Sequence, residues 1–352
     1  MFLQQREPVT TVGRLDALRR LMLAVAASQP PTDVMSRSRL ALRIASHFLR
    51  CAARLETFRR WFGDTANAAL REEIALRPSL VTHAIHPYLN VGWSVAHKLE
   101  VISGHYELLN GALGFLRFAP SEALILADFS DGMSVRIEKL TKFKHEGELV
   151  LSLFWQGRRV YSLAFTLGTI DAQTVAYAGA LQGLDSEDAL DTYRTLTHHL
   201  QGMRPRDLLV TAFRQLCGSL GVARILAVSD RHRVCSDPYF KSSVQVFTNY
   251  DSAWMECGGS DRGDGFFELL PAVTRRLAHE IPTRKRALYR RRYALLDLYA
   301  SQIHRAVARA TGRESASGDA RQALAVVDVN CLQMSANSGF PDTGSATASS
   351  AG

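Results

Sequence analysis

Glu148 to Gly183 reads ELVLSLFWQGRRVYSLAFTLGTIDAQTVAYAGALQG, and the reading of this stretch decides the fold. Its runs ELVLSLFWQ, RRVYSLAFTLG and TVAYAGALQG are short and rich in β-branched and aromatic residues, the composition that packs on a pleated surface. Gln156-Gly157 supplies a tight turn between the first two. Upstream, LILADF (Leu124 to Phe129) and SVRIEKL (Ser134 to Leu140) have the same character, with turns at Asp131-Gly132 and Glu146-Gly147. Together they read as an antiparallel meander of about five strands.

Working outward, the period changes. From about Leu15 to Ala75 apolar residues follow helical spacing, as in Leu40, Ile44, Phe48 and Ala52, with Pro30 and Pro31 interrupting. Pro87 opens a segment in which Trp93, Leu99, Ile102 and Tyr106 predict a helix to about Asn110, with His97 and His105 on different faces. Beyond the meander a loop of about twenty residues leads to an amphipathic helix over Arg204 to Leu220, opened by Pro205 and closed by Gly221. The buried strand ARILAVSD follows it and should neighbour the meander in one sheet; VQVFTN (Val244 to Asn249) adds a candidate strand. The expectation is an α+β protein with a central mixed, largely antiparallel sheet flanked by helices. It divides into a helical N-terminal region (1–80), an α+β domain (81–311) and a Ser/Ala/Gly-rich, mostly disordered tail (312–352), the apolar run ALAVVDV excepted.

The segment IPTRKRALYRRRYALLDLYASQI, Ile281 to Ile303, joins Arg284, Lys285, Arg286, Arg290, Arg291 and Arg292 to a helical stripe of Tyr289, Tyr293, Leu296, Tyr299 and Ile303. Planar, always-charged guanidinium forks suit phosphate-bearing partners: an anionic lipid surface, a nucleotide or a nucleic acid. A final helix docked by its aromatic stripe, its arginines merely solvated, explains the same pattern. The formal charge of +8 concentrates around this segment.

With 352 residues, 47% of them hydrophobic and 22% charged, the chain falls in the globular range. Five cysteines form no CxxC pair and no ligand series with histidines, so no zinc site or disulfide framework is signalled, and a reduced cytoplasmic setting fits. LMLAVAA (Leu21 to Ala27) is too short and too late for a secretory core. No apolar run reaches the roughly eighteen residues that span a bilayer, so membrane association should be peripheral, at the inner face. GxSxG, GxxxxGK[ST] and HExxH are absent. Nucleic-acid binding draws on the basic helix alone, without a helix-turn-helix, zinc module or RNP-type strand, and is set aside.

Three further segments carry a family resemblance when read with the basic helix: HPYLNVGWSVAHKLEVISGHYELL (His86 to Leu109), AYAGALQG (Ala176 to Gly183) and the YDSAWMECGG run (Tyr250 to Gly259). ILADFSDGMSVRIEKL (Ile125 to Leu140), GVARILAVSDRHRV (Gly221 to Val234) and FFELLP (Phe266 to Pro271) extend it. Over roughly residues 45 to 305 the chain resembles the bacterial VirK/YbjX family, DUF535. The resemblance implies a role in virulence or envelope stress, in resistance to cationic antimicrobial peptides, with an envelope protein as one class of partner. It implies no particular reaction. One departure is Lys98, where the family pattern calls for Arg, so a bidentate anion contact there weakens to a point charge.

The order of meander, LQG at a strand end, helix and buried strand is also similar to GNAT-type acyltransferases, which implies acyl-coenzyme A as cofactor. Gln182 and Gly183 stand where that family's phosphate loop would begin, but Gln182-Gly183-Leu184-Asp185 lacks the second glycine. Arg204 and Arg206, at a helix N-terminus, are the alternative anion site. A plain strand-ending turn is the ordinary reading of Gln182 and Gly183. Candidate acid and base groups are His105 with Tyr106, Asp230 with His232, and Glu256; core packing, a polar loop and aromatic anchoring are their respective ordinary roles. Asp128 and Asp131 suit turn chemistry rather than metal, and no metal site is assigned. The two functional expectations are a GNAT-like acyltransferase and a non-enzymatic peripheral membrane or partner-binding protein.

Overall fold

The computed structural model describes residues 12–28, 37–63, 67–119, 122–238, 240, 248–312 and 326–328. Helices α1 (Arg14–Ala27), α2 (Arg37–Ala52), α3 (Leu55–Phe62), α4 (Ala68–Leu76) and α5 (Leu80–His83) form the N-terminal region. Leu21, Ala24 and Val25 of the LMLAVAA run are the buried face of α1. The next helix, α6 (Val95–Asn110), starts later than Pro87 suggests. The Ser94 hydroxyl accepts the His97 N–H and so sets the first turn, leaving Trp93 outside the helix.

The meander follows as β1 (Glu122–Asp128), β2 (Met133–Glu138), β3 (Leu149–Trp155), β4 (Arg158–Ile170) and β5 (Gln173–Gly183), each antiparallel to its neighbour. Asp131 acts in the β1–β2 turn, where its carboxylate accepts the Met133 N–H. Glu146-Gly147 is not a hairpin turn. Residues between β2 and β3 form a longer loop with a 3-10 turn at Thr141–Phe143. Nor is the stretch after β5 a bare loop, because it holds α7 (Ala189–His199), of which only Leu196 is buried.

Then α8 (Pro205–Ser219) leads through Gly221, at φ +73°, to β6 (Arg224–Val228). This strand lies beside β5 and parallel to it. Helix α9 (Tyr250–Glu256), strands β7 (Ser260–Asp261) and β8 (Phe266–Leu269), and the long helix α10 (Arg286–Ala310) complete the domain. A short edge strand, β9 (Val326–Asp328), pairs with β1. The sheet order is β7-β8-β6-β5-β4-β3-β2-β1-β9, with β5–β6 the parallel pair. The fold is therefore α+β with a mixed, largely antiparallel sheet. Most of VQVFTN, and the tail other than β9, lie outside the described residues.

Helix α6 packs on β4, α8 on β3 and β4, and α10 on α8 and β1. The stripe of α10 points inward as its spacing predicts: Leu296, Tyr299 and Ile303 are buried, and Tyr299 meets the Phe129 ring at 4.2 Å. One contiguous core runs from α1 to α10. Among the described residues no helix is long and apolar enough to cross a membrane.

Candidate functional site

Strands β5 and β6 pair only over Val175–Ala178 and Arg224–Ala227. Beyond that point β6 stops at Val228 while β5 runs on to Gly183. The gap at these carboxyl ends is where open α/β sheets place ligands. Tyr250, the first residue of α9, enters the gap, and its hydroxyl accepts the Leu181 N–H at 2.9 Å. A bulge sits at the same level: Ala178 pairs with Phe165 and Ala180 with Ala164, so Gly179 is left without a partner. The loop carrying His145 and Glu146 lies directly against Gly179. At Gly183 a Cβ would meet the Tyr193 hydroxyl, which also accepts the Leu184 N–H.

These elements enclose a cavity of about 680 Å³ lined by Glu146, Gly179, Leu181, Gln182, Gly183, Tyr193, Arg233, Cys235 and Tyr250, among others. Its electrostatics centre on Glu146. Desolvation pushes that carboxyl up to about 7, and only backbone N–H groups of Glu146 and His145 counter it. At neutral pH it can both take and give a proton. Arg233 is not a free cation: it pairs with Asp230 at 2.7 Å, donates to the Thr248 carbonyl and stacks over the Tyr250 ring at 4.9 Å. Burial pushes the Cys235 thiol up, so it is not an activated thiolate. Burial also pushes the Tyr193 phenol up to about 12.

Of the residues the sequence singles out, Gln182 and Gly183 line this cleft. His105 and Tyr106 do not. His105 is fully buried, its Nδ1 accepts the Leu167 N–H of β4, and burial pushes its pKa down to about 4. Tyr106 donates to Glu148 inside the core. Asp230 belongs to the cleft only through Arg233; it also exchanges backbone contacts with Asp251, which tie the loop after β6 to α9. His232 turns away, with Nδ1 on the Ser229 hydroxyl and its ring against Gly265. Glu256 joins Arg204, at 2.8 Å, and Arg206 in one surface ion cluster, so these three act on one another. In the basic segment Arg291 and Arg292 hold Gln201, and Arg286 holds the Ile281 carbonyl. Arg284, Lys285 and Arg290 are exposed, with no ion-pair partner among the described residues. Lys98 is buried, donates to the His86 carbonyl at 2.7 Å and is within electrostatic reach of the Asp237 carboxylate, while burial pushes its pKa down.

A polar network in the core escapes the sequence reading. Glu148, fully buried, accepts from the Tyr88 and Tyr106 hydroxyls at 3.1 and 2.8 Å and pairs with Arg77. Burial alone would raise its pKa, but the adjacent Arg77 guanidinium, with His83 and His105, holds the carboxyl well below its usual range. Arg77 in turn pairs with Glu73, and Glu73 with Lys139. A charged residue leading an otherwise apolar strand is the one signal for it.

The family described as "Protein of unknown function (DUF535)" matches residues 37–305. The chain belongs to the DUF535 family. It is 26% identical to the uncharacterized protein YbjX of Escherichia coli over 236 residues, covering 64% of this chain and 72% of that one. An uncharacterized protein of Haemophilus influenzae is 34% identical over 161 residues, 45% of this chain and 52% of its own length. A second protein of that organism is 25% identical over 222 residues, 60% and 72% of the two chains. No solved structure matches this DUF535 chain. The matched region contains α6, the whole meander, the β5–β6 cleft and most of α10.

Proposed function

We propose that the chain is a GNAT-like acyltransferase that takes its acyl group from acyl-coenzyme A in the cleft between β5 and β6. The observation that carries this reading is the parting of the two parallel strands beside a carboxyl poised near neutrality. An extended, amide-bearing pantetheine arm can pair along the β5 edge as an added strand does, displacing the Tyr250 hydroxyl from the Leu181 N–H. Glu146 would take the proton of an attacking amine or hydroxyl as the new acyl bond forms and the thioester C–S bond breaks, the departing thiolate taking a proton in turn. Phosphate binding departs from the GNAT pattern, since Asp185 lies in the lining and Arg204 and Arg206 would have to release Glu256. The family resemblance supplies the context: cationic-peptide resistance through modification of an envelope component, from the cytoplasmic side.

The test is thermal unfolding with acetyl- and longer acyl-coenzyme A. A ligand at one hundred times its Kd adds about 2.7 kcal/mol of stability. No shift with any acyl chain length rejects the acyltransferase reading.

A second reading, a peripheral membrane protein, is favoured by Arg284, Lys285 and Arg290, which project at the start of α10 without intramolecular partners among the described residues. Each basic residue near an anionic surface contributes roughly 1 kcal/mol. Salt-sensitive binding to anionic vesicles, reduced when these three become Ala, is its expected signature; indifference to both salt and substitution removes it.

A further inference from the structure

A second cavity, of about 620 Å³, lies over the face of β4, β5, β6 and β8, between α6 and the β7–β8 turn. One wall is aromatic. The half-buried ring of Trp93 packs against Tyr177 at 5.2 Å and Phe266 at 5.6 Å, and His97 stands edge-on to it at 4.7 Å. Tyr177 is 3% exposed and lines the cavity, and its hydroxyl makes no hydrogen bond among the described residues. Gly168 permits that placement, since a Cβ there would fall 2.9 Å from Tyr177 Cε2.

The other walls are acidic. Glu100, Glu107, Asp171 and Asp264 line the cavity, against the Arg262 guanidinium and the His97 ring, whose Nδ1 lies 3.3 Å from the Glu100 carboxylate and which a cationic head would displace. That guanidinium is already held by Asp264 at 3.0 Å and Glu268 at 2.7 Å. The cavity is thus a negative site on a chain whose formal charge is +8. A phenol with no hydrogen-bond partner among the described residues, an indole face and an excess of carboxylates together ask for a ligand with a cationic donor head and an apolar stem. Ammonium groups are attracted both to carboxylates and to the indole face.

We propose that this cavity binds an organic ammonium ligand of the diamine or polyamine class, its head donating to Tyr177 Oη and Glu100 and its methylene stem lying on Trp93. A bare divalent cation would use the carboxylates without the aromatic wall. Diamine binding in this cavity does not depend on acyl transfer in the β5–β6 cleft.

The test is calorimetric titration of the full chain with 1,5-diaminopentane and with spermidine, at physiological ionic strength, with Mg²⁺ as the charge control. Saturable diamine or polyamine binding is expected, weakened about tenfold or more by Glu100→Gln, by Tyr177→Phe and by Trp93→Leu. Asp185→Asn, in the β5–β6 cleft, should bind as wild type. Glu100 is largely exposed, so its variant keeps the fold and separates ligand loss from unfolding. Absence of saturable binding, equal competition by Mg²⁺, or wild-type affinity in Glu100→Gln and Tyr177→Phe overturns the proposal.

Discussion

Gly179 lies against the backbone of Glu146 so closely that a Cβ at position 179 would sit 2.0 Å from the Glu146 carbonyl oxygen, and 2.7 Å from Leu89 Cδ2. Backbone cannot yield as a flexible side chain can, so the loop that presents the Glu146 carboxyl is seated by the absence of a side chain on β5. Gly179→Ala should therefore cost about 1–3 kcal/mol, the range for forced overpacking, and displace that loop. Gly13→Ala, with open space around it, is the control. Urea midpoints that coincide for wild type and Gly179→Ala would contradict the contact.

The buried Glu148 network yields a second expectation. Glu148→Ala leaves the half-buried Arg77 with Glu73 as its remaining carboxylate, Tyr88 with only the Thr166 hydroxyl, and the Tyr106 hydroxyl without its acceptor. Breaking a buried pair from one side costs about 3–5 kcal/mol. Tyr106→Phe removes one donor from the carboxylate and should cost less, about 1–2 kcal/mol. Chemical denaturation measures both. A Glu148→Ala loss below about 1 kcal/mol, the scale of exposed pairs, would mean that solvent already screens the site.

Stability should fall as the solution is acidified below pH 6.5. Burial, first of all, pushes His105 down to about 4, His86 to about 3 and His145 to about 2, and it lowers His47 and His83 as well. The rings of His47, His86, His145 and His83 form a chain with neighbouring centroids 4.7, 6.1 and 5.3 Å apart, so protonating one opposes the next. Below 6.5 the unfolded chain takes up protons that the folded chain refuses, and the difference in bound protons destabilises the fold. Each such histidine contributes up to about 1.4 kcal/mol per pH unit. Glu146 acts in the opposite sense: with its folded pKa raised, the stability it contributes is present at low pH and lost as pH rises through about 7. The histidines outnumber it, so unfolding free energy measured from pH 7.5 to 5 should decline. A flat profile would place these rings in contact with water.

The meander is legible because its signals are local: β-branched runs and glycine turns at Gly132 and Gly157, both at positive φ. The inward stripe of α10 is legible for the same reason. The cleft is not, since its walls come from residues near 146, from 179–183, and from 233–235, 240, 248 and 250, and which segments converge is set by packing alone. Glu146 beside Gly147 has the local chemistry of a turn, and nothing in its neighbours announces burial. Gly179, a glycine within an apolar strand, is the one local hint that another backbone comes close. His105 and Tyr106 illustrate the reverse case. Their chemistry suits catalysis, but their helix face points into the core, where His105 satisfies the backbone of β4 and Tyr106 satisfies Glu148.

Glu146→Gln separates binding from chemistry in the proposed acyltransferase. The amide occupies nearly the same volume as the carboxyl but cannot accept a proton at neutral pH. Because burial costs the charged form, removing the charge should leave the fold intact or slightly steadier above pH 7. Thermal shifts with acyl-coenzyme A should persist, while transfer to an amine or hydroxyl acceptor falls about 10²–10⁴-fold, the range for losing a general base. In the wild type, transfer should rise with pH through about 7 as the carboxyl ionises, and this limb should vanish in the variant. Transfer that survives in Glu146→Gln with an unchanged pH profile would assign the base to another group and leave Glu146 as a desolvated wall of the cleft.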